Sequence, residues 1–136
     1  AVHHTVVIPI SGIQHAVVRA LQYAKSMGGD DIRAVYVNLN PDVTQKLQDR
    51  WAEWGLGIPL VILESPYRSV MEPLMRYIDS VSEEKDTDFI TVLLPEFVTA
   101  KWWQAFLHNQ TATMIRAFLG GRKNVVVTSM RYHLEE

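Results

Sequence analysis

The stretch HTVVIPISGIQHAVVRALQYAKSMGGDDIRAVYV, residues 4–37, decides the fold. Thr5 to Ile10 is a short apolar run rich in β-branched residues, the pattern of a strand covered on both faces. Ile13, Ala16, Val17, Ala20, Leu21 and Ala24 then recur at helical spacing, and Gly28-Gly29 supplies a left-handed stop. A second run of the same kind, Ile32 to Val37, follows at once. Strand, helix and strand joined this tightly pair the two strands in parallel through a right-handed crossover.

Outward from this unit the alternation continues. Ile58 to Leu63, Phe89 to Leu94 and Asn124 to Ser129 bring the candidate strands to five. A second helix opens at Asn40-Pro41-Asp42, an N-cap followed by proline at the first helical position. Its inward residues are read as Val43, Leu47, Trp51 and Trp54, and Gly55 ends it. A third runs from Ser69, where Ser-Val-Met-Glu matches a capping box, through Leu74, Met75 and Ile78, with Pro73 expected to make its start irregular. The sequence therefore specifies an α/β fold: a doubly wound five-stranded parallel sheet with helices on both faces, Rossmann-like in architecture.

Composition narrows what such a fold does. At 136 residues the chain fits a single domain spanning 1–136, and an opening on Ala1 rather than Met suggests a piece of a longer protein. A formal charge of -2 leaves no broad basic footprint for nucleic acid, so any anion site is local. The absence of cysteine removes disulfides, thiol catalysis and thiolate metal sites. No apolar run approaches the roughly 20 residues that cross a bilayer.

In doubly wound sheets ligands bind beyond the carboxyl ends of the strands, where the winding order reverses. The first strand leaves through Ile10-Ser11-Gly12 and the second through Val37. If the fourth strand lies beside the first, its exit, Pro95-Glu96-Phe97, faces the same crevice. After it, Trp103, Phe106 and Leu107 share one helical face, and His108-Asn109-Gln110-Thr111 opens a fresh helix carrying Met114, Ile115, Phe118 and Leu119 inward. Asn109 or Thr111 caps that helix, and its free N–H groups suit a phosphate; caps of this kind also serve without any ligand. Lys101 and Trp102 lie beside it, one a cation and the other a ring placed to stack on a base, and both also read as an ordinary solvated face.

The opening residues 4–37 resemble the first half of a universal stress protein domain, a family that binds adenine nucleotides on a five-stranded parallel sheet. The Gly-x-x-Gly turn and Gly-Ser or Gly-Thr step of its nucleotide-binding members are replaced here by Pro95-Glu96-Phe97 and His108-Asn109-Gln110-Thr111, which points away from standard ATP binding. ISGI, ESPYRSVMEPLMRYID, LLPEFV, KWWQAFLHNQTA and NVVVTSMRYHL, taken together, resemble the cytoplasmic C-terminal domain of bacterial APC-superfamily permeases, in particular the KUP-family potassium importers. That resemblance implies a dimer attached to a membrane transporter and receiving cyclic di-AMP. By position it points to Ile10–Gly12, the loop Pro66 to Arg68 with Tyr67, Pro95–Phe97 and His108–Thr111.

A two-fold symmetric dinucleotide is naturally met by a two-fold symmetric protein. Arginine grips phosphate through two N–H groups, so Arg68 and Arg131 are the first candidates, with Lys101 after them. The last strand is expected at the open edge of the sheet, where its three valines invite pairing with a second copy. The expected function is a regulatory domain of a potassium transporter binding an adenine nucleotide, cyclic di-AMP before ATP or AMP. The alternatives are a dimerisation module of a permease with no nucleotide, or an ATP- or AMP-binding stress-protein-like domain. No Gly-x-Ser-x-Gly elbow, phosphate-binding Gly-Lys-Ser/Thr loop or His-x-x-x-His pair is present, so neither catalysis, a required cofactor nor a metal is expected.

Overall fold

The structure is a computed structural model and describes residues 3–12, 15–28, 31–54, 57–84, 87–95, 122 and 124–130. The described elements run β1 (His4–Pro9), α1 (His15–Ser26), β2 (Asp31–Asn38), α2 (Pro41–Trp54), β3 (Leu60–Glu64), α3 (Met71–Ser82), β4 (Phe89–Pro95) and β5 (Val125–Met130). All five strands expected from the apolar runs form, and they pair in parallel in the order β3-β2-β1-β4-β5. β1 is the central strand, with Val6 opposite Ile32 of β2 on one side and Thr91 of β4 on the other.

Alternate residues of each strand feed two cores. Val6, Ile8 and Ile10 of β1 join Val17 and Leu21 of α1 and Leu47 and Trp51 of α2 on one face. Val7 of β1, Val35 and Val37 of β2 and Val92 of β4 meet Leu74, Ile78 and Val81 of α3 on the other. Burial on both faces is why the strands read as unbroken apolar runs instead of alternating ones.

Turn chemistry behaves largely as the sequence dictates. Gly28, just past α1, takes the left-handed conformation at φ 76, which costs a residue with a Cβ more than glycine. Asn40 caps α2 as expected, its Oδ1 accepting from the backbone N–H groups of Asp42 and Val43 at 3.0 and 3.4 Å.

Two readings of helix detail are corrected. In α2 the inward stripe is Thr44, Leu47 and Trp51, whereas Val43 and Trp54 are about half exposed, at 50% and 48%. The phase is set by Trp51, whose Nε1–H donates to the carbonyl of Ile58 at 2.7 Å in a buried contact. With that indole fixed, Trp54 falls three residues on, at the rim of the stripe. In α3 the capping box at Ser69 does not form: Val70 is the N-cap and makes no side-chain cap bond. The hydroxyl of Ser65 instead takes the Ser69 N–H at 2.7 Å, and Glu72 pairs with Arg76 one turn further on. Pro73 is the third residue of α3, where an N–H would have no helical partner anyway, so it removes no bond of the helix.

Trp51→Phe is expected to lower unfolding free energy by about 1–3 kcal/mol, because it strands the Ile58 carbonyl in the core. Trp54→Phe is expected to change it by no more than about 0.5 kcal/mol. Urea denaturation of the two variants checks the phase of α2 directly.

Candidate functional site

Parallel pairing puts every strand exit on one edge of the sheet, and the order β3-β2-β1-β4-β5 reverses direction between β1 and β4. The shared crevice required β4 to lie beside β1, a condition the sequence left open, and that adjacency is present. At this reversal the Ile10 N–H donates to the carbonyl of Val35 at 2.9 Å, so the ladder continues one residue past β1 and the Ile10 side chain is wholly buried. The chain comes free only at Ser11 and Gly12, both half-buried. Val37 is also buried in the core beneath α3, so Ile10 and Val37 offer backbone rather than side chain to the crevice. Pro95, buried, closes β4 opposite Met130 of β5.

The exit of β3 is different in character. The Arg68 N–H donates to the carbonyl of Ser65 at 3.1 Å, closing a tight turn. Tyr67 is 82% exposed, and Arg68 adopts φ 55, a left-handed conformation that costs a non-glycine residue roughly 1–2 kcal/mol. With β2 between them, the β1 and β3 exits lie about 10 Å apart along the same edge, two strand spacings of about 4.8 Å. Glu96, Phe97, Lys101, Trp102, His108, Asn109, Gln110, Thr111 and Arg131 lie outside the described residues, as does the helix start expected at His108–Thr111.

A polar network that the sequence reading missed occupies the exits of β2 and β3. Asn38 and Glu64 are register partners, and the Asn38 Nδ2 donates to Glu64 Oε1 at 3.1 Å. Thr44 of α2 donates its hydroxyl to Asn38 Oδ1 at 2.6 Å. Because a carboxylate only accepts, Nδ2 must face Glu64 and Oδ1 must face Thr44, so the amide orientation is fixed by its neighbours. Burial pushes the Tyr36 phenol beneath this network above its usual range, partly offset by a hydrogen bond with Thr44, and it stays neutral at physiological pH. The available signal was the position of Asn38 and Glu64 as the first polar residues after two apolar runs.

The opposite edge of the sheet carries charge locked in pairs. Arg33, the one charged residue inside the β2 apolar run, donates through Nη2 to Glu84 Oε1 at 2.8 Å and to Asp31, and through Nη1 to the Tyr77 hydroxyl at 3.2 Å. Arg122 donates through Nε to Asp79 Oδ1 at 2.6 Å. Two guanidinium groups thus hold the last turn of α3, whose carbonyl end favours cations. Open clefts of about 330 and 470 Å³ flank these pairs, the first lined by Ser82, Arg122 and Asn124, the second by His3, His4, Arg33 and Glu84. They lie at the amino ends of the strands, and Arg33, which lines the second, already spends its donors on Asp31, Glu84 and Tyr77. For ligand binding the strand-exit edge has the stronger physical claim, because ligands of doubly wound sheets sit beyond the carboxyl ends of the strands.

Fold and edge chemistry define the class: a doubly wound α/β domain with an all-parallel sheet, in which no described helix is long and apolar enough to cross a membrane. The chain belongs to the family described as the KimA potassium transporter C-terminal domain, which matches residues 1–132. It is 34% identical over 133 residues to the potassium transporter KimA of Bacillus subtilis (strain 168), a match covering 96% of this chain and 22% of that relative. The chain therefore spans about a fifth of the length of the curated relative it matches. The resemblance to KUP-type potassium importers noted in the sequence is borne out at the level of family.

The Arg33 hydrogen bond holds the Glu84 carboxyl below its ordinary value, and Arg122 does the same for Asp79. A carboxylate that titrates lower in the fold than in the unfolded chain stabilises the fold above its unfolded value and loses that contribution as pH falls through the folded one. Both carboxylates are partly solvated, so Glu84→Gln should cost only about 0.2–1 kcal/mol at neutral pH. Thermal melts from pH 7 down to 3 are expected to show a shallower acid-side decline for Glu84→Gln than for the parent chain.

Proposed function

We propose that this chain is the regulatory domain of a potassium transporter and binds an adenine nucleotide, cyclic di-AMP before ATP or AMP, at the strand-exit edge of its sheet. The observation that carries the reading is the winding reversal between β1 and β4, with Ser11 and Gly12 released at it. Arg68 supplies the cation: it is exposed, and its backbone holds a left-handed conformation that a glycine would occupy more cheaply. A guanidinium there reads a phosphate through paired N–H donors. Occupancy controls transport by favouring one arrangement of a homodimer on the cytoplasmic side of the membrane over another.

A second reading, a module that dimerises and supports the transporter without a ligand, draws on β5. Among the described strands this one ends the sheet, and its Val126, 52% exposed, adds apolar surface beside the edge that a second copy would pair with.

Calorimetric titration of the chain with cyclic di-AMP, ATP and AMP separates the two. Heat with cyclic di-AMP at one ligand per two chains is the expected result, and silence with all three leaves only the dimerisation module. Arg68→Ala should weaken binding by roughly tenfold or more, the usual worth of a charge-assisted hydrogen bond. Arg68→Gly should weaken binding similarly while raising the melting temperature, because it relieves the left-handed backbone.

A further inference from the structure

We infer that Asn38 and Glu64 together read a sugar hydroxyl of the bound nucleotide; the inference rests on the nucleotide reading above and assigns a role to two residues outside the loops named there. Register places them. Pro9, the last paired residue of β1, lies opposite Val35, so β2 runs three residues past that pair, to Asn38. Asn38 in turn lies opposite Glu64, the last residue of β3. The pair therefore stands at the lip of the edge, one strand removed from the winding reversal.

Its bonding capacity is what a hydroxyl needs. Nδ2 of Asn38 donates to Glu64, at 3.1 Å from Oε1 and 3.5 Å from Oε2, and meets no other acceptor among the described residues. Glu64 is exposed, and within the described residues its carboxylate accepts only from that amide. A donor and an acceptor with spare capacity thus sit side by side, held in orientation by Thr44. A hydroxyl both donates and accepts, and complements the pair. A phosphate would meet the Glu64 charge and is excluded from this position. In the dinucleotide-binding class of doubly wound sheets, an acidic group about 20 residues past the first turn takes the ribose hydroxyl. Here the second strand ends on an amide, and the carboxylate arrives from β3 instead.

The test compares cyclic di-AMP with its 2′-deoxy counterpart, and ATP with 2′-deoxy-ATP, by calorimetry on the parent chain and on Glu64→Gln and Glu64→Ala. The parent is expected to prefer the ribose form by about tenfold or more, because a site built around a hydroxyl rejects the analogue lacking it. Both variants are expected to narrow that preference to within about threefold, the range of a lost neutral hydrogen bond, while their melting temperatures stay close to the parent's. Binding without a ribose preference, or a preference that survives both substitutions, overturns the assignment and leaves the nucleotide reading standing. The assignment also falls if the variants instead lose discrimination against the inosine counterpart, which would place the adenine amino group on the pair. Failure of every nucleotide to bind the parent removes both.

Discussion

The ladder on both sides of β1 is the constraint from which everything else follows. Its residues share hydrogen bonds with β2 through the register Thr5 to Asp31 and with β4 through His4 to Phe89. Because β1 is central and buried on both faces, a slip of one residue would turn Val6 and Ile8 from the α1 and α2 core into the core of α3. Register is therefore fixed, and with it the level at which each strand ends. The polar residues of the exits are consequences of those end points.

Sheet polarity divides the molecule into two chemically unlike edges. At the amino ends, Arg33 and Arg122 reach across elements to clasp the end of α3, and their charge is spent on carboxylates. At the carboxyl ends, Tyr67 and Arg68 stand in solvent on a turn pinned by Ser65, and Asn38 with Glu64 keeps spare donors and acceptors among the described residues. Ion pairs at the first edge hold elements together; the second keeps its polar groups facing outward.

Much of the architecture was legible because burial on both faces leaves strands as continuous apolar runs, and all five of those runs are strands here. The β1 exit and the Pro66 to Arg68 loop share one edge because parallel pairing puts every strand exit there, although the sequence singled out that loop only through the family resemblance. Helix phase was less so: Trp54 carries as strong an apolar signal as Trp51, and only the bond from Trp51 to the Ile58 carbonyl decides between them. The Ser69 capping box failed for a related reason, since Ser65, four residues earlier, engages its backbone first. The Asn38 and Glu64 pair depends on inter-strand register, and the Arg33 cluster on partners 44 and 51 residues away, neither of which a one-dimensional pattern contains.

The union of β1 with β4 also shapes how the chain reaches its native state. The His3 N–H finds the Asp88 carboxylate across 85 residues of sequence, so one flank of the central strand cannot zip up until most of the polypeptide is in place. On a ribosome, the β1-α1-β2 unit would wait half-assembled, one side of its innermost strand unsatisfied, while residues 39–88 emerge. Closure of so long a loop is entropically slow, and a topology of this kind belongs among the more leisurely folders of its size.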